Sequence, residues 1–353
     1  MDRRPTEPPL FTFGVIADIQ YADIDDGYNY TRTNRRYYRT SLQLLKKAQK
    51  SWSESEPKPD FVLQLGDVID GLNVARGASD RALDKVLAEL SSGPGPVHHV
   101  WGNHELYNFS RSALMLSRLN SKVLADQSPT GTPARSDIYA YQFCPVPGFR
   151  FVIMDSYDVG LLGREESSEQ YQEAKTLIQR YNKNQDLNCP PGSSLIGRSF
   201  IHVLMIITVQ NSDPYVSDSE DQGRFTMFNG GFSPDQLDWL DSVLSSADGN
   251  QEKVTLVSHL PVHPYTTDSV CLAWNFEELL AIIRSHSSVV CYMAGHVHDG
   301  AYHQDESTRV HHLTMDGVIE TPPHSAAFCT VSVYSDRMVL KGSGRVMDRV
   351  FLF

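Results

Sequence analysis

Five short apolar runs in this chain each stop at residues with a lone pair to offer a metal ion, and that pattern limits the folds open to it. The runs are TFGVIAD (12–18), FVLQLGDVID (61–70), VHHVW leading into GNHE (97–105), KVTLVSH (253–259) and VVCYMAGHVH (289–298). Short, nearly continuous apolar runs fit strands buried on both faces, as in layered α/β proteins. Between them lie helix-like patterns. Leu42, Leu45 and Ala48 within residues 33–52 mark one apolar face. Ser79-Asp80 predicts a cap for a helix through Leu90. Ser233 followed by Pro234 predicts a second capped start, with Leu237, Leu240 and Leu244 on one face, and NFEELLAIIRSH (275–286) a third.

YAYQF (139–143) and FRFVIMD (149–155) predict paired strands across a Pro/Gly turn, with a polar helix after them to about Tyr181. VHHLTM (310–315), FCTVSVY (328–334) and MVLKGSG (338–344) predict consecutive strands in the tail. Strands alternating with helices first, then clustering, predict two sheets face to face with helices outside. A chain of 353 residues of this kind is expected to form a single domain.

Composition narrows the partners. A net charge of −12 argues against nucleic acid and anionic membrane, both of which need a basic face. It leaves small phosphorylated substrates open, because bound cations invert the local potential. The five cysteines are odd in number and lack CxxC spacing, which predicts unpaired thiols in a reducing compartment. MDRRPTEPPL has no apolar core of a signal peptide, and SFIHVLMIITV (199–209) is too short to span a bilayer. The expectation is a soluble, cytoplasmic monomer.

The strand-end residues Asp18, Gln20, Asp67, Asn103, His259, His296 and His298 offer oxygen or imidazole nitrogen and no thiolate. Hard to intermediate divalent ions such as Mn, Fe or Zn suit that set. In extended chain, residues i and i+2 share a face, so Asp18 with Gln20 and His296 with His298 are expected to be chelating pairs. Asn103 and His104, adjacent at the end of a strand, are expected to point apart. Seven ligands exceed one tetrahedral ion but fit two ions sharing Asp67, the usual clamp for displacement at phosphorus. Any one fragment alone reads as a turn or a core polar pair; the ordered set carries the metal reading.

That set, Asp-x-Gln, Gly-Asp-x-x-Asp, Gly-Asn-His-Glu, His, Gly-His-x-His, resembles the calcineurin-like metallophosphoesterase superfamily from Asp18 to His298. The resemblance implies a four-layer α/β/β/α sandwich of two mixed sheets with a dinuclear site at one edge. It implies one metal on Asp18, Gln20, Asp67 and His298, and the other on Asp67, Asn103, His259 and His296. It also implies His104 as the catalytic group near the scissile phosphate, with Asp70 orienting it. The commoner superfamily form has His where this chain has Gln20, a harder and weaker ligand, which implies a shift towards Mn.

GVIADIQYAD, LQLGDVIDG, WGNHELYNFSR, FNGGFSPDQLDWL, VSHLPVHP, CLAWN and AGHVHDG are similar to one branch of that superfamily, which acts on nucleotide diphosphates with manganese. The implied reaction is hydrolysis of the diphosphate of ADP-ribose and of CDP-alcohols (CDP-choline, CDP-ethanolamine, CDP-glycerol) by water activated between two divalent ions. Mn is expected in activity, with Zn, Fe or Mg as alternatives. The products would be AMP with ribose 5-phosphate, or CMP with a phosphoalcohol. In that branch the region before FNGGF is short, so residues 195–220 are expected to be an insertion.

Tyr28, Tyr30, Cys271, Trp274 and Asn275 follow the ligand strands and are candidates for substrate contact, against ordinary packing. Arg35 and Arg36 are candidates for the second phosphate, against a solvated surface. Asp155 is a candidate support for the site. His98, His99, His311 and His312 are expected to be structural or surface groups, with His263 undecided. Rival readings are a phosphomonoesterase or cyclic-nucleotide phosphodiesterase on the same metals, and a catalytically silent scaffold.

Overall fold

The first strand shows why these runs lack alternation. In β1 (Phe11–Ile16) every residue is buried. On one side Phe13 stacks on Phe61 at 5.2 Å and meets Phe151 edge-on at 5.2 Å. On the other, Gly14 lies under Trp52, where a Cβ would come within 2.7 Å of the indole ring. One face thus packs on a second sheet and the other on a helix, so both must be apolar.

The computed structural model describes residues 8–29, 32–126, 131–191 and 222–353. The expected insertion at 195–220 and the candidate Tyr30 lie outside the described residues.

The first six-stranded sheet runs β14-β13-β12-β1-β4-β5. It comprises β4 (Phe61–Gln64), β5 (Val97–His99), β12 (Ala327–Val333), β13 (Arg337–Gly344) and β14 (Arg349–Leu352) besides β1. The second runs β10-β11-β9-β8-β7-β6. It comprises β6 (Tyr141–Val146), β7 (Phe149–Ile153), β8 (Lys253–Val257), β9 (Val289–Ala294), β10 (Asp299–Gln304) and β11 (His311–Asp316). A two-stranded ribbon, β2 (Gly27–Tyr28) with β3 (Arg35–Arg36), stands apart from both.

Both sheets are mixed. β1, β4 and β5 are mutually parallel, as are β7, β8 and β9. Their inner faces meet through Phe11, Phe13 and Phe61 against Phe143, Phe149 and Phe151. One hydrophobic core runs through both sheets and their helices. α1 (Tyr38–Glu54) covers the first sheet, with Trp52 Nε1 donating to the Cys329 carbonyl at 3.2 Å, and packs beside α2 (Ser79–Leu90). α6 (Pro234–Gly249) packs on β8 and beside α7 (Phe276–Ser285). Short helices α3 (Asn103–Asn108) and α4 (Arg111–Leu116) and the longer α5 (Glu169–Tyr181) complete the set. This is the sandwich of two mixed sheets with outer helices that the strand and helix pattern pointed to.

Local chemistry moves several boundaries. α1 starts at Tyr38, because Arg35 and Arg36 are taken into β3 and Tyr37 N–H donates to the Ile319 carbonyl at 2.8 Å. Ser79 is the first helical residue of α2 rather than its cap; its hydroxyl donates to Asn108 Oδ1 at 2.6 Å. Asn275 does not cap α7 and instead pairs with both backbone groups of Phe232, at 3.0 and 2.9 Å. Ser233 does cap α6, accepting from Gln236 N–H at 3.3 Å. β10, polar and only partly buried, carries no hydrophobic signal of its own; it exists because β11 offers it an antiparallel partner.

Candidate metal centre

The chain exits five parallel strands into loops at one edge of the sandwich, the place where open α/β sheets bind ligands. Asp18 and Gln20 follow β1, Asp67 follows β4, Asn103 follows β5, His259 follows β8, and His296 and His298 follow β9. The expected extended-chain pairing is not how they converge. Asp18, Gln20, Asp67 and His296 have φ of 51°, 43°, 58° and 72°. That left-handed backbone is costly for side chains with a Cβ, and such residues cluster where surrounding structure forces a functional geometry. Here the force is a backbone lattice: Asp18 N–H to Gly66 O at 3.1 Å, Gln20 N–H to Asp67 O at 2.8 Å, and Gly295 N–H to His259 O at 3.0 Å.

Asn103 and His104 open helix α3 instead of ending a strand. They diverge because successive helical residues are about 100° apart. Glycines make the approach possible. A Cβ on Gly102 would sit 2.1 Å from Asp67 Oδ1 and 2.8 Å from the His259 ring, and one on Gly66 2.3 Å from His259 Nδ1.

Six of the seven side chains meet directly, and Asn103 stands one residue before His104, whose N–H reaches Asp67. Asp67 Oδ2 lies 3.4 Å from His259 Nε2 and accepts from Gln20 Nε2 at 3.2 Å. His259 Nε2 is 3.3 Å from His296 Nδ1, and Asp67, His259 and His296 can each turn one donor atom into a space under 4.8 Å across. On the other side His298 Nε2 is 3.0 Å from Gln20 and 3.5 Å from Asp18 Oδ1. Asp18 also accepts from His296 N–H at 3.0 Å. Gln20 Oε1 is buried with no hydrogen-bond partner, as a carbonyl set aside for a cation would be. Oxygen and imidazole donors around buried carboxylates fit hard to intermediate divalent ions.

The electrostatics agree. Burial works against the Asp67 charge, but His259 and His104 hold its carboxyl well below the usual range. Burial likewise works against protonated His259 and His298, yet Asp67 and Asp18 beside the first, and Asp18 and Glu320 beside the second, raise both to about 9. Rings made this basic are good metal donors.

His104 borders the site. Its N–H donates to Asp67 Oδ1 at 2.8 Å, and its Nε2 faces Asp67 Oδ2 at 3.9 Å. Its Nδ1 accepts from Gly71 N–H at 2.8 Å, so the partner there is backbone. Asp70 is close, Oδ2 at 3.4 Å from Nδ1, while its Oδ1 caps the turn at Leu72 N–H at 2.8 Å.

Several supporting residues carried no signal of their own in the sequence. Glu105 was visible only as the last letter of GNHE; it accepts from the N–H groups of Asp67, Val68 and Gly102 at 2.7, 2.6 and 2.8 Å, tying two ligand loops together. Asn229, within FNGGF, places Oδ1 3.0 Å from His296 Nε2. Tyr157 donates to Asn103 Oδ1 at 3.2 Å. Asp155, by contrast a support already expected from the sequence, reaches the site through that tyrosine, accepting from Tyr157 N–H at 3.1 Å while paired with Arg111. Glu320 accepts from His298 Nδ1 at 2.9 Å.

The candidate substrate contacts separate. Trp274 is buried in a satellite core with Phe225 and donates to Thr226 O at 3.2 Å, so it has no free face for a base. Asn275 is committed to Phe232 and to Glu278 at 2.9 Å. Tyr28 is 60% exposed on the two-stranded ribbon. Cys271 is partly buried, and desolvation pushes its thiol up to about 12. Arg35 is a surface residue paired with Asp26 at 3.1 Å, whereas Arg36 turns inward between Asp70 and Glu320 at 3.7 and 3.5 Å. His98 stacks on Phe143 at 3.6 Å and His311 takes the Tyr302 hydroxyl at 2.8 Å, both far from metal chemistry.

Two facing mixed sheets with carboxylate, amide and imidazole donors at their strand ends define a dimetal phosphoesterase. The chain belongs to the calcineurin-like phosphoesterase family, whose model matches residues 11–300. It is 51% identical over 343 residues to a Danio rerio protein named manganese-dependent ADP-ribose/CDP-alcohol diphosphatase, covering 97% of this chain and 98% of that one. The Mus musculus protein of the same name is 49% identical over 345 residues, covering 97% and 93%. The crystal structure of a dimetal phosphatase from Danio rerio superposes with a TM-score of 0.86 at 50% identity, covering 98% of this chain and 99% of that one.

Proposed function

We propose that this chain is a manganese-dependent hydrolase that cleaves the diphosphate of ADP-ribose and CDP-alcohols, giving AMP with ribose 5-phosphate or CMP with a phosphoalcohol. The observation that carries the reading is the gathering of oxygen and imidazole donors from Asp18, Gln20, His259, His296 and His298 about buried Asp67, in a chain about half identical to proteins of that name. One ion would rest on Asp18, Gln20, Asp67 and His298, the other on Asp67, Asn103, His259 and His296. When bound, two such ions neutralise non-bridging phosphate oxygens and lower the pKa of water.

The chain's own residues do the rest. Glu105 and the strand-end lattice fix the backbone of Asp67, and His104 N–H holds its carboxylate. Because Gly71 N–H occupies His104 Nδ1, the ring proton of neutral His104 sits on Nε2, facing the site. His104 therefore offers a donor to a phosphoryl oxygen or to the leaving phosphate. Asp70 Oδ2 stands 3.4 Å from His104 Nδ1, behind the ring. Tyr28 and Cys271 remain available for substrate contact.

We further propose that the protein is a cytoplasmic monomer; no helix among the described residues is long and apolar enough to cross a membrane. The test of function is a panel on chelated protein with Mn, Mg or Zn restored, against ADP-ribose, CDP-choline, a phosphomonoester and cyclic AMP. AMP or CMP released fastest with Mn is expected. Preference for the monoester or cyclic AMP would replace the reading by a rival on the same site, and metal binding without any turnover would make the chain a scaffold.

A further inference from the structure

The three imidazoles at the metal centre are not backed alike. His259 Nδ1 donates to a neutral backbone carbonyl, Leu65 O, at 2.7 Å. His296 Nε2 meets a neutral amide, Asn229 Oδ1, at 3.0 Å. His298 Nδ1 alone meets a carboxylate, Glu320 Oε1, at 2.9 Å. That carboxylate is itself fixed. Its second oxygen accepts from Asn34 Nδ2 at 2.8 Å, Arg36 Nε stands 3.5 Å from the first, and its side chain is only 5% exposed. The turn that carries it is joined to the exit of β1: Val318 N–H donates to Ala17 O at 3.1 Å and Ile319 N–H to Asp18 O at 2.9 Å. Glu320 is therefore held by the same backbone that presents Asp18.

We propose that Glu320 is a positioning residue that acts through His298 to make the Asp18/Gln20/Asp67/His298 position the tighter of the two metal positions. The inference rests on the ligand assignment above. A carboxylate behind a ligating histidine fixes the ring's tautomer and rotation and raises its donor strength. Gln20 makes that position weaker than an imidazole would, and Glu320 offsets the loss. The charge count points the same way. Asp18, shared Asp67 and Glu320, the last partly offset by Arg36, face one position, while Asp67 faces the other, whose remaining donors Asn103, His259 and His296 are neutral as ligands. Loss of metal on dilution would then begin at the Asn103/His259/His296 position.

The test is Mn²⁺ binding to the full-length, chelated protein, read by the electron paramagnetic resonance signal of free Mn²⁺, for wild type, Glu320→Gln and Glu320→Asp. Wild type is expected to show a tight and a weak class. Glu320→Gln is expected to lose about 10–100-fold in the tight class, with the weak class within about twofold, and Glu320→Asp to recover part of that loss. An equal fall in both classes, or no change in either, overturns the proposal. Should Glu320→Gln fail to fold, Asn34→Ala, which frees the second carboxylate oxygen and keeps the charge, is expected to weaken the tight class by a smaller factor; an unchanged tight class there also overturns it. Wild type that binds no Mn²⁺ or leaves ADP-ribose intact refutes the functional reading instead, whereas two classes, turnover and an indifferent Glu320→Gln refute this inference alone.

Discussion

Two histidine clusters, four residues of chain apart at their nearest, differ in the carboxylates that face them. His259, His296 and His298 gather at the strand ends. Four residues after His259, His263 begins a second group, stacked 4.4 Å from His303 and 4.6 Å from His312. Burial works against the charged form in both. In the first, carboxylates reverse that effect at two rings and raise His259 and His298 to about 9, while burial and neighbouring His259 take His296 well below its ordinary value. In the second, burial and neighbouring His303 take His263 down to about 4, and His312 falls well below its ordinary value. Asp305 is near, 3.9 Å from His263 Nε2, but its charge is already engaged by Arg284 at 3.4 Å and by the Ser307 hydroxyl at 2.6 Å. Burial alone lowers a histidine, whereas burial beside an unspent carboxylate raises it, as His259 and His298 show.

The largest effect should come from removing that carboxylate. Asp67→Ala deletes the group proposed to be shared by both metal positions and the acceptor for His104 N–H. Elemental analysis should find both Mn ions lost and turnover of ADP-ribose reduced by roughly 10³-fold or more, in line with loss of the metal's Lewis acidity. Two ions still held by the variant would sink the bridging assignment. His104→Ala comes next. It leaves every proposed ligand in place, so metal content should be unchanged while kcat falls by about 10²–10⁴, the usual worth of a positioned acid or base. An unchanged kcat would remove the residue from the chemistry.

Much of this contrast was legible in the sequence, and what was not has a physical cause. The apolar runs predicted both sheets because strands covered on both faces leave no polar alternation, and β1 between Trp52 and Phe151 shows the reason. The donor residues at their ends were legible because metal chemistry uses few side-chain types. The local geometry was not. Left-handed backbone at Asp18, Gln20 and His296 replaces the extended pairing, since tertiary hydrogen bonds outweigh intrinsic preference there. Supports such as Glu320 and Asn229 lie 22 and 67 residues from the histidines they hold, and no spacing rule connects them. Trp274 looked like a base-stacking residue beside the site, but packing against Phe225 claims it.

The smallest effect sharpens the comparison from the other side. His312 is buried with neither ring nitrogen hydrogen-bonded, and it faces His263, His303, Asp305 and Arg284, with the Tyr292 ring 5.9 Å away. His263, also beside Tyr265, has a folded value near 4 against an ordinary 6.5. Between those values the unfolded chain binds more protons than the folded one, so stability is intact above pH 6.5 and is lost as pH falls towards 4. A displacement of that size is worth on the order of 3 kcal/mol once fully expressed. His312, lowered further, adds to the same acid limb. His312→Leu removes a proton acceptor and an unpartnered polar group at similar volume, a change that is often neutral or mildly stabilising at neutral pH. Thermal unfolding is expected to show little difference from wild type at pH 7.5 and a higher unfolding temperature for the variant at pH 5, with kcat on ADP-ribose within about twofold. A parallel fall of both proteins between those pH values would mean that other groups set the acid limb and that this stack, unlike the metal-site histidines, has no electrostatic consequence.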